Sequence, residues 1–183
     1  MSKKSQSTEL LGDVTTLSDD ERLSTLGNDI RARAGSMGWT GLDSGSYNVF
    51  EPIAAWYNQL AAPEFIVWKT NVVVDEIMRN GMDWARVDNL TVGKARIWDW
   101  MSRLGSFDAS KPNIRAGIDA AWVGTAADLA VRAAVYVHCK RSCTNYEKIF
   151  AIGTGTTASP ATMTVEGNVT PYEVEQALLR TVV

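Results

Sequence analysis

The stretch AADLAVRAAVYVHCKRSCTNYEKIF, residues 126–150, runs without a glycine or a proline. Just before and at its start, Thr125 and Asp128 have the spacing of a capping box, in which each side chain binds the other residue's backbone amide at the beginning of a helix. The alanines of the stretch allow close packing against neighbouring helices. The stretch therefore predicts the longest helix of the chain and places the protein in the mainly α class.

A glycine-containing segment, GTGTTASPATMTVEG at 153–167, follows this helix. Gly153 is a natural helix end, and the alternation in ATMTVEG is typical of one short strand or an extended arm. TPYE at 170–173 then combines a capping threonine, a proline at the first helical position and a glutamate at the third. It predicts a final helix over 171–180.

On the N-terminal side, Ser18 and Glu21 predict another capped helix, and four closely spaced glycines predict a loop at 35–45. The predicted helices before residue 126 are 18–34, 51–62, two short helices within 63–81 that break near Thr70, 91–104 and 110–123. The resulting architecture is a helical bundle with one short strand or extended arm and a C-terminal helix. We expect a flexible N-terminal tail at 1–17, a helical body at 18–152, and an arm plus C-terminal helix at 153–183.

The composition indicates which classes of protein the sequence can belong to. The 183 residues are 45% hydrophobic and 21% charged, which is typical of a folded globular protein. The formal net charge of −3 and the pI of about 5.2 argue against a dedicated nucleic-acid binder. The sequence has neither an apolar run of about 20 residues nor the apolar centre of a secretory signal, so we expect no membrane span, no export and reduced cysteines.

The residues that most often carry chemistry do not form a recognisable site. GTGTT lacks the lysine and the strand–helix setting of a phosphate-binding loop. His138, the single histidine, lies within the predicted long helix, and Cys139 and Cys143 on one face of it supply at most two metal ligands. The sequence therefore predicts no catalytic residue, no cofactor and no metal.

Three segments, in this order, resemble a group of small proteins encoded by tailed bacteriophages and prophages: FIVWKT at 65–70, KPNIRAGIDAAW at 111–122, and the long helix ending in YEKIFAIGTGTTASPATMTVEG at 146–167. The resemblance covers residues 65–179. It implies a non-enzymatic structural component of a tailed-phage virion. The leading interpretation is a head–tail connector protein, which is an adaptor or neck component that assembles as a ring. The partners implied are copies of the chain and portal or tail proteins of the same particle.

The resemblance also implies synthesis in the bacterial host cytoplasm, a final location in the virion, no membrane partner, and at most proximity to packaged DNA without specific contact. Ring contacts are expected on the long helix, the arm and the final helix. The predicted contact residues are Arg132, Lys140, Arg141, Lys148, Met163, Val165, Tyr172 and Leu178. Three alternatives stay open: another tail or capsid-associated structural protein, a small helical enzyme with scattered site residues, and a DNA-associated module that uses the Lys140–Arg141 face.

Overall fold

The fold is seen in a computed structural model that describes residues 17–80 and 82–180. This part of the chain is mainly α-helical with short antiparallel strand pairs, which confirms the predicted fold class. Its helices are α1 (Asp19–Met37), α2 (Tyr47–Tyr57), α3 (Val74–Arg79), α4 (Trp84–Asp88), α5 (Val92–Arg103), α6 (Pro112–Ala121), α7 (Ala126–His138), α8 (Asn145–Ile149) and α9 (Pro171–Leu179). Its strands are β1 (Ile66–Trp68), β2 (Val72–Val73), β3 (Ser106–Phe107), β4 (Lys140–Ser142), β5 (Ala151–Ile152) and β6 (Thr162–Met163).

The first and last helices share one hydrophobic core with α2 and α8. Leu26 and Ile30 of α1 are fully buried there, as is Val174 of α9. Gly27 permits the close approach of the two helices, because a Cβ at this position would overlap the carbonyl oxygen of Ala177. The helix at the C-terminal end is thus an integral part of the body.

A second core lies between α3, α5, α6 and α7, with the β2–β3 pair beside it. Ile118 and Trp122 are fully buried in this core, and Val135 of α7 is buried in it as well. The rings of Trp98 and Trp122 meet edge to face, with 5.3 Å between their centroids. Such aromatic pairs add stabilisation beyond the area that they bury.

Strand β1 belongs to a third, smaller core and is paired on both sides. Val67 is opposite Arg141 in the antiparallel β1–β4 pair and also forms a parallel bridge with Ala161. The buried side chains of Val67, Ala161, Met163 and Cys143 pack together around it. Three segments that are distant in the sequence are therefore joined at β1.

The prediction of one helix over 126–150 is wrong. Helix α7 ends at His138, the strand Lys140–Ser142 follows, and the short helix α8 begins at Asn145. Lys140–Ser142 are extended because they pair with Ile66–Trp68, a partner about 70 residues away that no local pattern reveals. Thr144 and Glu147 form their own capping box at the start of α8, a signal that is present in the sequence.

Three other predicted boundaries change. Residues 63–81 contain β1, β2 and one helix, α3, rather than two helices, because both strands find partners elsewhere in the chain. Helix α1 extends to Met37, and helix α2 begins at Tyr47, so that Pro52 lies inside α2. The capping boxes predicted at Ser18, Thr125 and Thr170 all form.

The described part of the predicted arm and C-terminal helix, residues 153–180, folds back on the body. β6 pairs with β5, the side chains of Ala161 and Met163 are buried, and α9 packs against α1 and α2. No arm reaches away from the body in residues 153–180. The predicted tail lies outside the described residues except for Leu17.

Candidate protein-interaction surfaces

The predicted contact residues of the arm and the final helix differ in accessibility. Met163 and Leu178 are 5% and 6% exposed, because they belong to the chain's own hydrophobic cores. They offer almost no surface to a partner, which is a correction of the sequence prediction. Val165 is half-buried beside the α1–α9 core, whereas Tyr172 is 66% exposed. Of these four residues, Tyr172 is the one available for an aromatic contact.

Arg141 forms ion pairs with carboxylates of its own chain. Its guanidinium donates two hydrogen bonds of 2.7 Å to Glu147 and a third of 3.2 Å to Glu166. Burial raises the pKa of Glu147, but the bonds from Arg141 and from the amides of Thr144 and Gly167 outweigh it and lower the pKa overall. The cluster ties β4, α8 and the segment after β6 together, so Arg141 has a structural partner and is not a free surface cation.

Lys140 points away from Arg141, as successive strand residues do. Its ammonium lies 5.3 Å from the ring centroid of Trp68 and 5.8 Å from that of Tyr136, and it donates a 2.8 Å hydrogen bond to the carbonyl of Thr157. The Lys140–Arg141 face expected from a continuous helix is therefore absent. Lys148 does not share a face with Lys140 or Arg141 either, because its ammonium lies 5.3 Å from the ring centroid of Phe65.

An open groove of about 680 Å³ runs beside α7; we call it the α7 groove. Three of the predicted contact residues line it, Arg132, Lys140 and Arg141, and Tyr136 lies between Arg132 and Lys140 in the sequence. Arg132 lies 3.5 Å from the carboxylate of Asp119, which also accepts a 3.0 Å hydrogen bond from the Tyr136 hydroxyl. Burial and this bond raise the pKa of Tyr136, so its hydroxyl stays a hydrogen-bond donor at neutral pH. The groove can attract an anion.

The histidine and the cysteines have structural positions. His138 ends α7, where its Nε2 lies 3.3 Å from the carbonyl oxygen of Asn80. Cys139 and Cys143 are buried in different cores, so the single helical face predicted for them does not exist. Burial raises the pKa of the Cys139 thiol to about 12 and also raises that of Cys143, which makes both thiols unreactive near neutral pH. Within residues 17–80 and 82–180, no group of three or more metal-binding side chains is found.

The GTGTT segment closes a turn against β1. Gly155 has a φ of +65°, and its carbonyl accepts a 2.7 Å hydrogen bond from the amide of Ile66. A Cβ at Gly155 would severely overlap three ring atoms of Phe65. The glycine is thus required by backbone conformation and by close packing, and the segment joins α8 and β5 to β6.

A surface that the sequence prediction missed lies on α4 and α5; we call it the α4–α5 surface. It exposes four large apolar side chains to solvent: Trp84 (60%), Val92 (70%), Trp100 (77%) and Leu104 (69%). A groove of about 530 Å³ runs between the two helices, and Trp84 and Val92 are among its lining residues. Trp100 of α5 and Leu104, the residue that directly follows α5 and still has helical backbone angles, are four residues apart and therefore neighbours on the helix surface. The sequence contained a signal for this surface. Trp100 and Leu104 are spaced i, i+4 and lie outside the buried stripe formed by Trp98 and Met101.

An ion pair between α4 and α7 also has a structural role near the α4–α5 surface. Arg86 of α4 binds the carboxylate of Asp128, which completes the capping box of α7 with Thr125. The hydrogen bond from Arg86 lowers the pKa of Asp128 to about 2. This pair fixes α4 to the start of α7 and so holds Trp84 in position at the surface.

Comparisons of the chain with protein-family models, with curated proteins and with solved structures find no match. Among the helices that the structure describes, none is long and apolar enough to cross a membrane.

Proposed function

We propose that the protein is a non-enzymatic structural component of a tailed-phage virion, in first place a head–tail connector protein that assembles as a ring. The observation that carries the proposal is the α4–α5 surface, with four large apolar side chains exposed on two adjacent helices. Trp84 and Val92 share one groove, and Trp100 and Leu104 are neighbours four residues apart. Exposed apolar side chains that lie side by side are characteristic of protein–protein contacts, and tryptophan is enriched among the residues that dominate them.

The sequence resemblance to tailed-phage proteins supports the choice of assembly. A ring requires a heterologous contact, in which two different patches of the chain meet around a closed rotation. The α4–α5 surface supplies one apolar patch, and the exposed Tyr172 of α9 lies on another element. The partners proposed are copies of the chain and portal or tail proteins of the same particle.

The charge pairing in the structure weakens one alternative. A DNA-associated module was expected to use Lys140 and Arg141 together, but Arg141 is bound to Glu147 and Glu166 on the opposite side of β4. This removes one of the two cations on which that alternative depended.

The test is the mass of the purified chain, measured by light scattering alone and after mixing with the portal protein encoded in the same genome. We expect ring-sized species visible by electron microscopy, and we expect Leu104→Glu to abolish them. Leu60→Glu is the matched control, because Leu60 is 66% exposed but lies outside the α4–α5 surface. A chain that stays monomeric with every portal and tail protein of that genome, and that is missing from the purified particle, refutes the proposal.

A further inference from the structure

We infer that the α7 groove binds an extended acidic segment of a partner polypeptide. The inference rests on the proposed function in one respect: that function assigns the α4–α5 surface to contacts between copies, which leaves the α7 groove to a different protein. The groove itself is defined by its own charges, apolar side chains and strand edge.

The groove is locally cationic on a chain whose net charge is −3. Its lining contains two cations without a full set of carboxylate partners, Arg132 and Lys140, and one carboxylate, Asp119, which leaves an excess of one positive charge. Arg141 also lines the groove, but Glu147 and Glu166 already match its charge. The Arg132 side chain is 32% exposed and its contact with Asp119 is 3.5 Å long, so it can also reach an incoming carboxylate. A positive patch on an acidic protein favours anionic partners over cationic ones.

Apolar side chains lie among these cations. Val137 is 71% exposed and Leu129 is 40% exposed, and Ile66 lines the groove from β1. A small anion such as phosphate would leave this apolar surface uncovered. A segment that alternates acidic and apolar residues would cover it and meet the cations at the same time.

The groove also offers a strand edge. In the described chain, β4 pairs with β1 alone. The backbone bonds from Lys69 to Cys139 and from Cys143 to Phe65 show that the odd-numbered residues of this stretch bond to β1. The amide groups of Lys140 and Ser142 and the carbonyl of Lys140 therefore point away from β1 at the groove. The carbonyl of Ser142 on the same edge accepts a 3.2 Å hydrogen bond from the side chain of Arg141. An extended polypeptide can pair with such an edge, whereas a nucleic acid has no matching ladder of peptide groups.

The probe is a fluorescent peptide of about six residues that alternates glutamate and valine, compared with the same peptide carrying lysine in place of glutamate. Fluorescence anisotropy with the full chain measures the dissociation constant. We expect the acidic peptide to bind at least about tenfold more tightly than the basic peptide, and the preference to shrink as salt is added. In the labelled protein, the amides of Lys140 and Ser142 should become protected from hydrogen exchange when the acidic peptide is bound.

Two variants and one control locate the site. Arg132→Gln and Lys140→Gln should each weaken binding of the acidic peptide by about three- to tenfold. Arg103→Gln, which removes a cation that is 74% exposed on α5, should leave binding within about twofold. Circular dichroism of each variant establishes that its helices are intact before affinities are compared.

Four outcomes overturn the inference: equal binding of both peptides, unchanged binding by the two groove variants, displacement of the peptide by a single-stranded DNA oligomer that binds more tightly, or occlusion of the groove by a second copy of the chain. Peptide binding with no ring and no place in the particle would leave the inference standing and refute the proposed function. Rings that form without any binding of the acidic peptide would support the proposed function and overturn the inference.

Discussion

Replacing Gly27 by alanine tests the packing of the first helix against the last. Gly27 lies in the middle of α1, and a Cβ built on it would overlap the carbonyl oxygen of Ala177 and lie 2.9 Å from the carbonyl carbon. Carbon–oxygen contacts in proteins are comfortable only beyond about 3.3 Å. The two helices must therefore separate by roughly 1 Å, a gap that forfeits a quarter to a half of the attraction between the atoms that face it.

The expected free-energy change is a difference of two terms. Overpacking of this kind costs about 1–3 kcal/mol, and the loss of contacts by Val174 and Leu178 places Gly27→Ala toward the upper end. Alanine in a helix interior is favoured over glycine by about 0.5–1 kcal/mol, which offsets part of the cost. We therefore expect a net loss of about 1–2.5 kcal/mol in the free energy of unfolding.

Gly35 provides the matched control in the same helix. Nothing lies within 4 Å of a Cβ built there, so Gly35→Ala should raise the free energy of unfolding by about 0.5–1 kcal/mol. The two substitutions are chemically identical and should have opposite signs. Urea unfolding followed by circular dichroism measures both, with a shift of the thermal midpoint of about 2–4 °C per kcal/mol as an independent check. Stabilisation by Gly27→Ala equal to that by Gly35→Ala would show that α9 does not rest on α1, and the described core would be wrong.

Two further substitutions test other joints of the fold. Gly155→Ala should lose about 1–3 kcal/mol more stability than Gly45→Ala, because the two glycines have nearly the same φ (+65° and +66°) but only Gly155 is covered by the ring of Phe65; equal losses in urea unfolding would contradict this. Glu147→Gln should lose about 1.5–3 kcal/mol at pH 7, since a charge-assisted bond to Arg141 is replaced by a neutral one. The folded-state pKa of Glu147 is below the ordinary 4.5. The stability that the ionised Glu147 adds is therefore present above pH 4.5 and is lost as the pH falls through the folded-state pKa. A stability difference between wild type and variant that stays constant down to acid pH would refute this role of Glu147.

The features that depend on a few neighbouring residues could be predicted from the sequence. The capping boxes at Ser18, Thr125 and Thr170 need only two side chains three residues apart, and all three form. The mainly α class follows from the same local signals. The break after His138 depends instead on pairing between β4 and β1, and a helical spacing of apolar residues continues through it. Only the capping box at Thr144 marked the restart.

The candidate interaction surfaces were harder to predict from the sequence, for a related reason. Arg141 and Lys140 are adjacent in the sequence, but a strand sends one toward Glu147 and the other toward Trp68. Leu178 carries the apolar character expected of a contact residue, and the chain itself already uses it in the core. Whether a large apolar residue is buried or exposed depends on the tertiary neighbours of its helix face, as the exposed Trp100 shows.

The shared core of α1 and α9 also governs when the protein can finish folding during synthesis. The apolar stripe of α1, with Leu26 and Ile30, leaves the ribosome early and finds its main cover only when residues 171–179 have been made. At about 5–20 residues per second, the stripe waits for many seconds without that cover. A chain cut short before α9 keeps this stripe bare, which makes it a substrate for chaperones and proteases. Only molecules that contain α9 would then accumulate.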